Sequence, residues 1–250
     1  MDFRFPHIEH QIYPKTFLKD VHIVFEFNRV SPSHETVAGL RKFFDKHFGL
    51  KEVDIEQTKS NGISVFTEDE TVRILFGWDK CILIMRTPAY KSFGFAKPFL
   101  GIVVEYFNLV GVSDLSDVVM WKYNELEYKL DGAGNAALVM RGVFSDALLN
   151  ANLSDEDERA MRSLTRWEKT VAYENVDDNH SVLTFEFGFK SKKTDQLEGV
   201  VTLKTAILSS TDVVVVTDMD MLLHSFNATL DDAFHWGVKD DIINEMKRQK

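Results

Sequence analysis

Alternating apolar and polar residues predict β-strands along much of the chain, with segments of helical spacing between them. From Val21 to Phe27, large apolar residues recur at every second position, as in a strand with one buried face. Helical spacing begins after Ser31-Pro32-Ser33, and Gly49 marks the expected end of that helix. The apolar positions of the repeat are Val37, Leu40, Phe44 and Phe48. The chain therefore opens with a strand and an amphipathic helix.

Several short strands and a second helix complete the first half of the chain. The segments with strand character are 51–58, 63–67, 71–78 and 80–87. Their polar connections are so short that they join only antiparallel neighbours. A helix then follows Pro98 and ends at Gly111, with an apolar stripe between them.

The second half repeats this order of elements. A long strand is predicted over 117–129, a helix over 136–150, and a short helix after Ser154, which begins a capping box. Further strands are predicted over 164–173, 180–189, 200–208 and 212–218. A closing helix starts at Met221 and continues past Gly237.

Two successive blocks of strand, helix, antiparallel strands and helix predict an α+β protein built from two pseudo-repeated units. Such a duplication would form a saddle of the TATA-binding-protein-like or helix-grip-like kind. Two unrelated α+β domains are the alternative. Because no Pro/Gly/Ser-rich linker divides the chain, we expect residues 1–112 and 113–250 to pack as one compact unit.

Composition favours a folded protein with an aromatic core and disfavours polyanionic partners. The 250 residues are 44% hydrophobic and include 20 Phe, enough to bury a sizeable core. A formal net charge of -10 repels nucleic acid and anionic membranes, so neither is expected as a partner.

Cysteine usage and hydropathy predict a cytoplasmic location. The single cysteine, Cys81, has no second thiol for an internal disulfide, which favours a reducing compartment. The first seven residues lack the apolar core of a signal peptide. No segment approaches the ~18 apolar residues of a membrane-spanning helix.

Four segments together resemble a family of uncharacterised, sporadically distributed bacterial proteins, the sporadTIGR type. They are the strand Val21 to Phe27, Tyr90-Lys91-Ser92-Phe93, the strand Trp121 to Leu126, and the closing segment His224 to Met246. The resemblance covers most of the chain and supports the α+β fold. It implies no activity, since none is known for the family.

Three groups of polar residues are candidates for metal or ligand binding. His7 and His10 would share a face of a helical turn, a spacing that suits a metal ion. Asp218 and Asp220 fall at a predicted strand end, point to one side, and precede His224 on the closing helix. Ordinary polar surface and a helix cap are the alternative interpretations of these two groups.

Aromatic residues on two strands form the third candidate group. Trp121, Tyr123 and Trp167 are predicted ligand-binding residues, forming the floor of a cavity beneath a gripping helix. Core packing is the alternative, because strand aromatics usually pack. Cys81, within an apolar strand, is expected to behave as a small buried hydrophobe.

No known catalytic motif occurs, so the leading hypothesis is a non-enzymatic binding or interaction protein. Phosphate-binding glycine loops, the Gly-x-Ser-x-Gly elbow and the His-Glu-x-x-His zinc motif are all missing from the sequence. The expected partner is a protein or a small molecule, with no cofactor and with a homodimer as one arrangement. A metal-assisted hydrolase and a nucleic-acid-binding saddle are the alternatives, the latter disfavoured by the acidic charge.

Overall fold

An eight-stranded antiparallel sheet organises the protein. The computed structural model describes residues 3, 5–9, 12–31, 33–50, 62–129, 136–161, 166–174, 181–191, 198–209 and 214–248. The strands are β1 (Leu18–Glu26), β2 (Ile63–Phe66), β3 (Val72–Phe76), β4 (Lys80–Arg86), β5 (Asp114–Leu115), β6 (Asp117–Lys129), β7 (Arg166–Glu174), β8 (Val182–Ser191), β9 (Glu198–Ser209) and β10 (Val214–Val215). The sheet order is β2-β3-β4-β1-β6-β9-β8-β7, and β5 pairs separately with β10.

Seven helices occur in the described part of the chain. They are α1 (His34–Phe48), α2 (Lys97–Val110), α3 (Ala136–Val143), α4 (Asp146–Asn152), α5 (Asp155–Met161), α6 (Met219–Gly237) and α7 (Asp240–Lys247). Local sequence sets their ends: the Ser33 side chain accepts from the Thr36 N–H before α1, and Gly49 ends it with φ 66°. None of these helices is long and apolar enough to cross a membrane.

Two central strands, β1 and β6, join the first and second halves of the chain. β1 pairs antiparallel with β6, placing Val21 opposite Lys122 and Ile23 opposite Met120. On its other side β6 pairs with β9 from Val118 to Lys129. As a result β6 lies at the middle of the sheet and has a neighbour on each side.

Helices pack on one face of the sheet, which therefore has a buried and an open side. Val118, Met120 and Leu126 of β6 are buried, whereas the alternate residues Trp121 and Tyr123 are only half-buried. Helix α6 packs across β6 and β9 on the buried side. Phenylalanines supply much of this core, notably Phe25, Phe107, Phe144, Phe185, Phe187 and Phe189, all buried.

The α+β class and the antiparallel strands are confirmed, and three details of the second half differ from prediction. The helix predicted over 136–150 is broken at Phe144, because the Ser145 side chain caps a new helix at the Leu148 N–H. The strand predicted over 212–218 is only Val214–Val215, followed by a 3₁₀ turn over Val216–Asp218.

The third difference is at the C-terminus, and one further prediction lies outside the described residues. The closing helix stops at Gly237 and restarts at Asp240. The capping box at Ser154 is confirmed, since its hydroxyl accepts from the Asp157 N–H and its own N–H donates to the Asp157 carboxylate. The strand predicted over 51–58 is not described.

Candidate functional site

A cavity of about 510 Å³ lies between α6, the middle of the sheet and the N-terminal segment. We call it the central cavity. Lys122 and Asn124 of β6 form its floor, and Asp231, Phe234 and His235 of α6 line one side. The remaining lining residues are Ile12, Tyr13, Pro14, Thr16, Leu18, Pro88, Tyr90, Lys91 and Met246. The walls are mostly apolar or aromatic and carry a few polar groups, as in small-molecule sites.

A buried ion pair between Lys122 and Asp231 defines the polar end of the cavity. Lys122 occupies the buried register of β6, and its side chain is 6% exposed. Its Nζ lies 2.5 Å from Oδ1 of Asp231, whose side chain is 19% exposed. Removing an ammonium from water costs several kcal/mol, so the pairing carboxylate is what makes this position tolerable.

Two further side chains hold the Asp231 carboxylate in place. Asn227, one helical turn earlier on α6, donates from Nδ2 to Asp231 Oδ2 at 3.1 Å. The Asn227 Oδ1 atom in turn accepts from the Tyr90 hydroxyl at 3.0 Å. Burial, reinforced by the charge of Asp231, raises the pKa of Tyr90 well above its ordinary value, so this phenol stays neutral and donates. The chain of bonds ties the loop after β4 to α6.

Asn124 is the second polar residue on the cavity floor. It is buried, and its side-chain Nδ2 donates to the backbone carbonyl of Leu203 on β9 at 3.4 Å. An amide has two N–H donors and one carbonyl acceptor, so capacity for a further partner remains after this bond.

His235 and Tyr13 form a hydrogen-bonded couple at the edge of the cavity. His235 Nδ1 lies 2.7 Å from the Asp231 backbone carbonyl, which only accepts, so Nδ1 carries the proton. In the neutral ring Nε2 is then an acceptor, and the Tyr13 hydroxyl donates to it at 2.6 Å. Burial and the nearby Asp231 charge raise the pKa of Tyr13, which favours this neutral donor form.

The N-terminal residues cross the cavity as an irregular segment fastened to α6 and α7. We call residues 5–9 and 12–17 the N-terminal strap. At one end Asp232 accepts from the Ile8 N–H at 2.9 Å and pairs with His7 Nδ1 at 3.1 Å. At the other end the Lys15 side chain pairs with Glu245. The Phe5 ring packs 4.9 Å from that of Trp236 in α6.

Of the two histidines predicted for metal binding, the structure describes one. His7 bonds Asp232, and His10 lies outside the described residues. Within the residues described, no group of three or more His, Cys, Asp and Glu side chains is placed to hold a metal ion.

The structure places Asp218, Asp220 and His224 differently from the prediction, because their segment is not a strand. Asp218 ends a 3₁₀ turn and Asp220 lies in the first turn of α6, so the two-residue alternation does not apply. All three side chains are exposed. Asp220 pairs loosely with Lys97 at 3.8 Å, and the His224 ring contacts Phe93 at 5.8 Å between centroids.

None of the three predicted aromatic residues lines the central cavity. Trp121 and Tyr123 lie on the open side of the sheet, where Trp121 stacks on His22 at 4.6 Å and Tyr123 donates to Glu125 at 2.7 Å. Trp167 is on the edge strand β7 and packs against Phe187 at 6.0 Å. The cavity floor consists instead of the residues that follow the two β6 aromatics.

The sequence carries a signal for the cavity floor. Lys122 and Asn124 interrupt an otherwise apolar register that runs through Met120 and Leu126. Polar residues at buried strand positions need hydrogen-bonding partners, so such an interruption indicates a polar site within the core. On α6, Asp231 likewise follows the buried Asn227 by one turn within a mostly apolar stripe.

Cys81 is a buried core residue, as expected for a small hydrophobe. Its side chain is fully buried on β4, opposite Phe25 of β1. Burial raises the pKa of its thiol far above the ordinary value, which keeps the thiol protonated and unreactive.

Comparison with known proteins gives no functional lead. No protein-family model matches the chain, and no curated protein matches it either. The resemblance to the sporadically distributed bacterial family stays a prediction, and the function has to be argued from the central cavity.

Proposed function

We propose that this protein binds a small organic molecule in the central cavity and has no catalytic role. The observation that carries the proposal is an apolar cavity of about 510 Å³ whose polar groups converge on the buried Lys122–Asp231 pair. Buried charge on a cavity floor is costly for folding, and recognition of a ligand gives it a purpose.

The arrangement of side chains supports binding better than catalysis. Neither cysteine nor serine is among the described residues that line the cavity. The Lys122 Nζ is committed to an ion pair with the Asp231 carboxylate, whereas a nucleophilic lysine needs a free amine. We therefore favour a binding protein over a metal-assisted hydrolase.

A duplicated fold would place this cavity where its two halves meet. In each half the strands run outward from the centre in the chain order first, fourth, third and second: β1-β4-β3-β2 and β6-β9-β8-β7. A long helix follows the last strand of each set. This correspondence supports a pseudo-two-fold, helix-grip-like arrangement of 1–112 and 113–250.

A nucleic-acid-binding saddle has less support. On the open side of the sheet Lys204 lies against Glu186 at 3.5 Å, and Glu125 accepts from Tyr123. Such a mixed surface, in a chain of net charge -10, offers no basic stripe to a phosphate backbone.

Filling the cavity tests the proposal. The neutral fluorescent dye N-phenylnaphthylamine should bind to the wild-type protein, and Asn124→Phe should weaken it by about tenfold or more because the ring occupies the floor. Thr16→Trp, at an exposed position on the cavity rim, is a second filling variant less prone to disturb folding. Fluorescence titration measures the affinities, and circular dichroism checks that each variant is folded.

Thr202→Phe is the matched control. Thr202 lies opposite Glu125, on the open side of β9, so its added ring points away from the cavity and should leave dye binding unchanged. Equal binding by wild type and both filling variants would place the dye elsewhere and contradict the proposal.

A further inference from the structure

On the cavity floor, the Lys122 ammonium has the most unused hydrogen-bond donors. The ammonium of Lys122 has three N–H donors, and in the described part of the structure it donates only to Asp231. Buried donors are ordinarily satisfied, so two N–H groups of Lys122 remain for whatever fills the cavity.

The neighbouring polar groups offer little to a cationic ligand. Each carboxylate oxygen of Asp231 already accepts a bond from within the protein, one from Lys122 and one from Asn227, and the Lys122 ammonium already balances the Asp231 charge. The protons of Tyr90 and Tyr13 are committed to Asn227 and His235. The other acceptors, which are the phenol oxygens and the Asn124 amide, are neutral.

The charges that line the cavity leave a surplus of one positive charge. Lys91 and Lys122 are the cations among the described lining residues, and Asp231 is the anion. Lys91 is exposed, whereas the buried Lys122 keeps two N–H donors beyond its bond to Asp231, so Lys122 is the group that a buried head group would contact. A hydrogen bond between a charged donor and an anion is stronger in an apolar surrounding than in water. A monoanion suits this position better than a phosphate dianion, which would be repelled more strongly by Asp231.

We propose that the ligand of the central cavity is a monocarboxylate with an apolar body, whose carboxylate accepts hydrogen bonds from Lys122 at the floor. This inference rests on the proposed binding function and names its ligand class. The second carboxylate oxygen would accept a hydrogen bond from the Asn124 amide, and the apolar body would contact Leu18, Phe234 and Met246.

Matched ligands test the class of the head group. Octanoate and cinnamate are each compared with their primary amides, and octanoate also with octylamine and octyl phosphate, by isothermal titration at neutral pH. We expect the acids to bind about tenfold tighter than the amides, since a hydrogen bond to a charged group is worth more than one between neutral groups. Octylamine should bind weakest.

Variants at Lys122 test the proposed contact. Lys122→Met/Asp231→Leu removes both charges together, so no unpaired charge is left in the core, and it should abolish the preference for the acid while dye binding persists. Lys204→Met is the control, because this lysine lies on the open side of the same sheet and contacts Trp121 and Glu186. Its preference for acids should equal that of the wild type.

The outcomes separate this inference from the proposed function. Amides, the amine or the phosphate binding as tightly as the acids would overturn the monocarboxylate class while leaving a small-molecule site in place. The same holds if N-phenylnaphthylamine binds and neither acid does. Failure of the dye and of every probe would overturn the binding function itself.

Discussion

Lys122 and Asp231 depend on each other more than on any other residue in the site. Both are largely buried and approach to 2.5 Å, so either one alone would be a charge in the core without its counterion. Measurements on other proteins show that breaking such a pair costs far more than replacing both partners with apolar residues. Two apolar residues at these positions would stabilise the fold as well as the ion pair does. We therefore expect the pair to serve ligand recognition.

A double-mutant comparison tests this dependence. Asp231→Ala should lower the free energy of unfolding by ~3–5 kcal/mol, because it leaves the Lys122 ammonium buried and unpaired. Lys122→Met/Asp231→Leu should recover most of that loss. Urea unfolding measures both. A loss below ~1 kcal/mol for the single substitution, within the range of exposed pairs, would contradict the assignment of a buried pair.

Cys81 should be silent to thiol reagents in the folded protein. It is fully buried, and its raised pKa keeps it protonated at neutral pH. Ellman's reagent should detect no thiol in native protein and one per chain in urea. Rapid labelling under native conditions would instead indicate local opening of β4.

At the level of residues, the sequence predicted the face-to-face alternation of β6, but the residues it proposed for ligand binding lie on the side of the strand away from the central cavity. The large aromatic residues Trp121 and Tyr123 were predicted to line a cavity. The residues that line it are the polar Lys122 and Asn124, each one position later. Period-two patterning cannot by itself say which side of a strand the helices cover. That information comes from α6, which packs against β6 from a distant part of the chain.

Among the elements, α6 contacts both the floor of the cavity on β6 and the N-terminal strap that crosses the cavity. Adjacent residues of α6 divide the work: Asp231 pairs with Lys122, while Asp232 holds the backbone of Ile8. One turn on, His235 accepts from Tyr13 in the strap. Access to the cavity is thus coupled to how firmly the N-terminal strap is fastened to α6.

Loosening the strap should change rates more than affinity. Asp232→Ala removes the two bonds to His7 and Ile8, which are worth about 1 kcal/mol each. We therefore expect entry and exit of N-phenylnaphthylamine to accelerate by roughly thirtyfold. Stopped-flow fluorescence gives both rates. His224→Ala, at an exposed α6 position outside the strap contacts, is the control and should behave as wild type. Unchanged rates in Asp232→Ala would show that ligands enter by another route.

Sequence patterns predicted the regular elements better than the strap. The capping serines Ser33 and Ser154 and the stop at Gly49 are local signals, and the structure uses all three. The N-terminal strap has no period to detect, because several of its contacts join residues far apart in the chain: His7 and Asp232 are separated by 225 residues. Their conformation is set by tertiary contacts, which local patterning does not encode.

At the scale of the whole molecule, the site is shared between the two halves of the chain. The strap, Pro88 and Tyr90 come from the first half, and β6, α6 and Met246 from the second. Short connections predicted the neighbours β2-β3-β4 from sequence, but the pairing of β1 with β6 joins strands some hundred residues apart and had no local signal. That pairing brings the halves together around the cavity.

The halves should therefore unfold together. Trp78 reports on the first half and Trp121, Trp167 and Trp236 on the second. A variant with the last three replaced by Phe should show the same urea midpoint by Trp78 fluorescence as by far-ultraviolet circular dichroism. Separate midpoints would mean that the pairing of β1 with β6 does not couple the two halves.

The two-sided character of β6 also constrains how this gene can change. A single codon inserted early in the strand would shift its register by one, turning the lysine and asparagine of the floor toward the open side and bringing the tryptophan and tyrosine beneath α6. A point substitution changes one side of the strand without affecting the other. An insertion or deletion within the strand moves the residues of each side to the opposite side. Relatives that keep the central cavity should therefore vary freely in the loops that flank β6 and hold the length of the strand fixed.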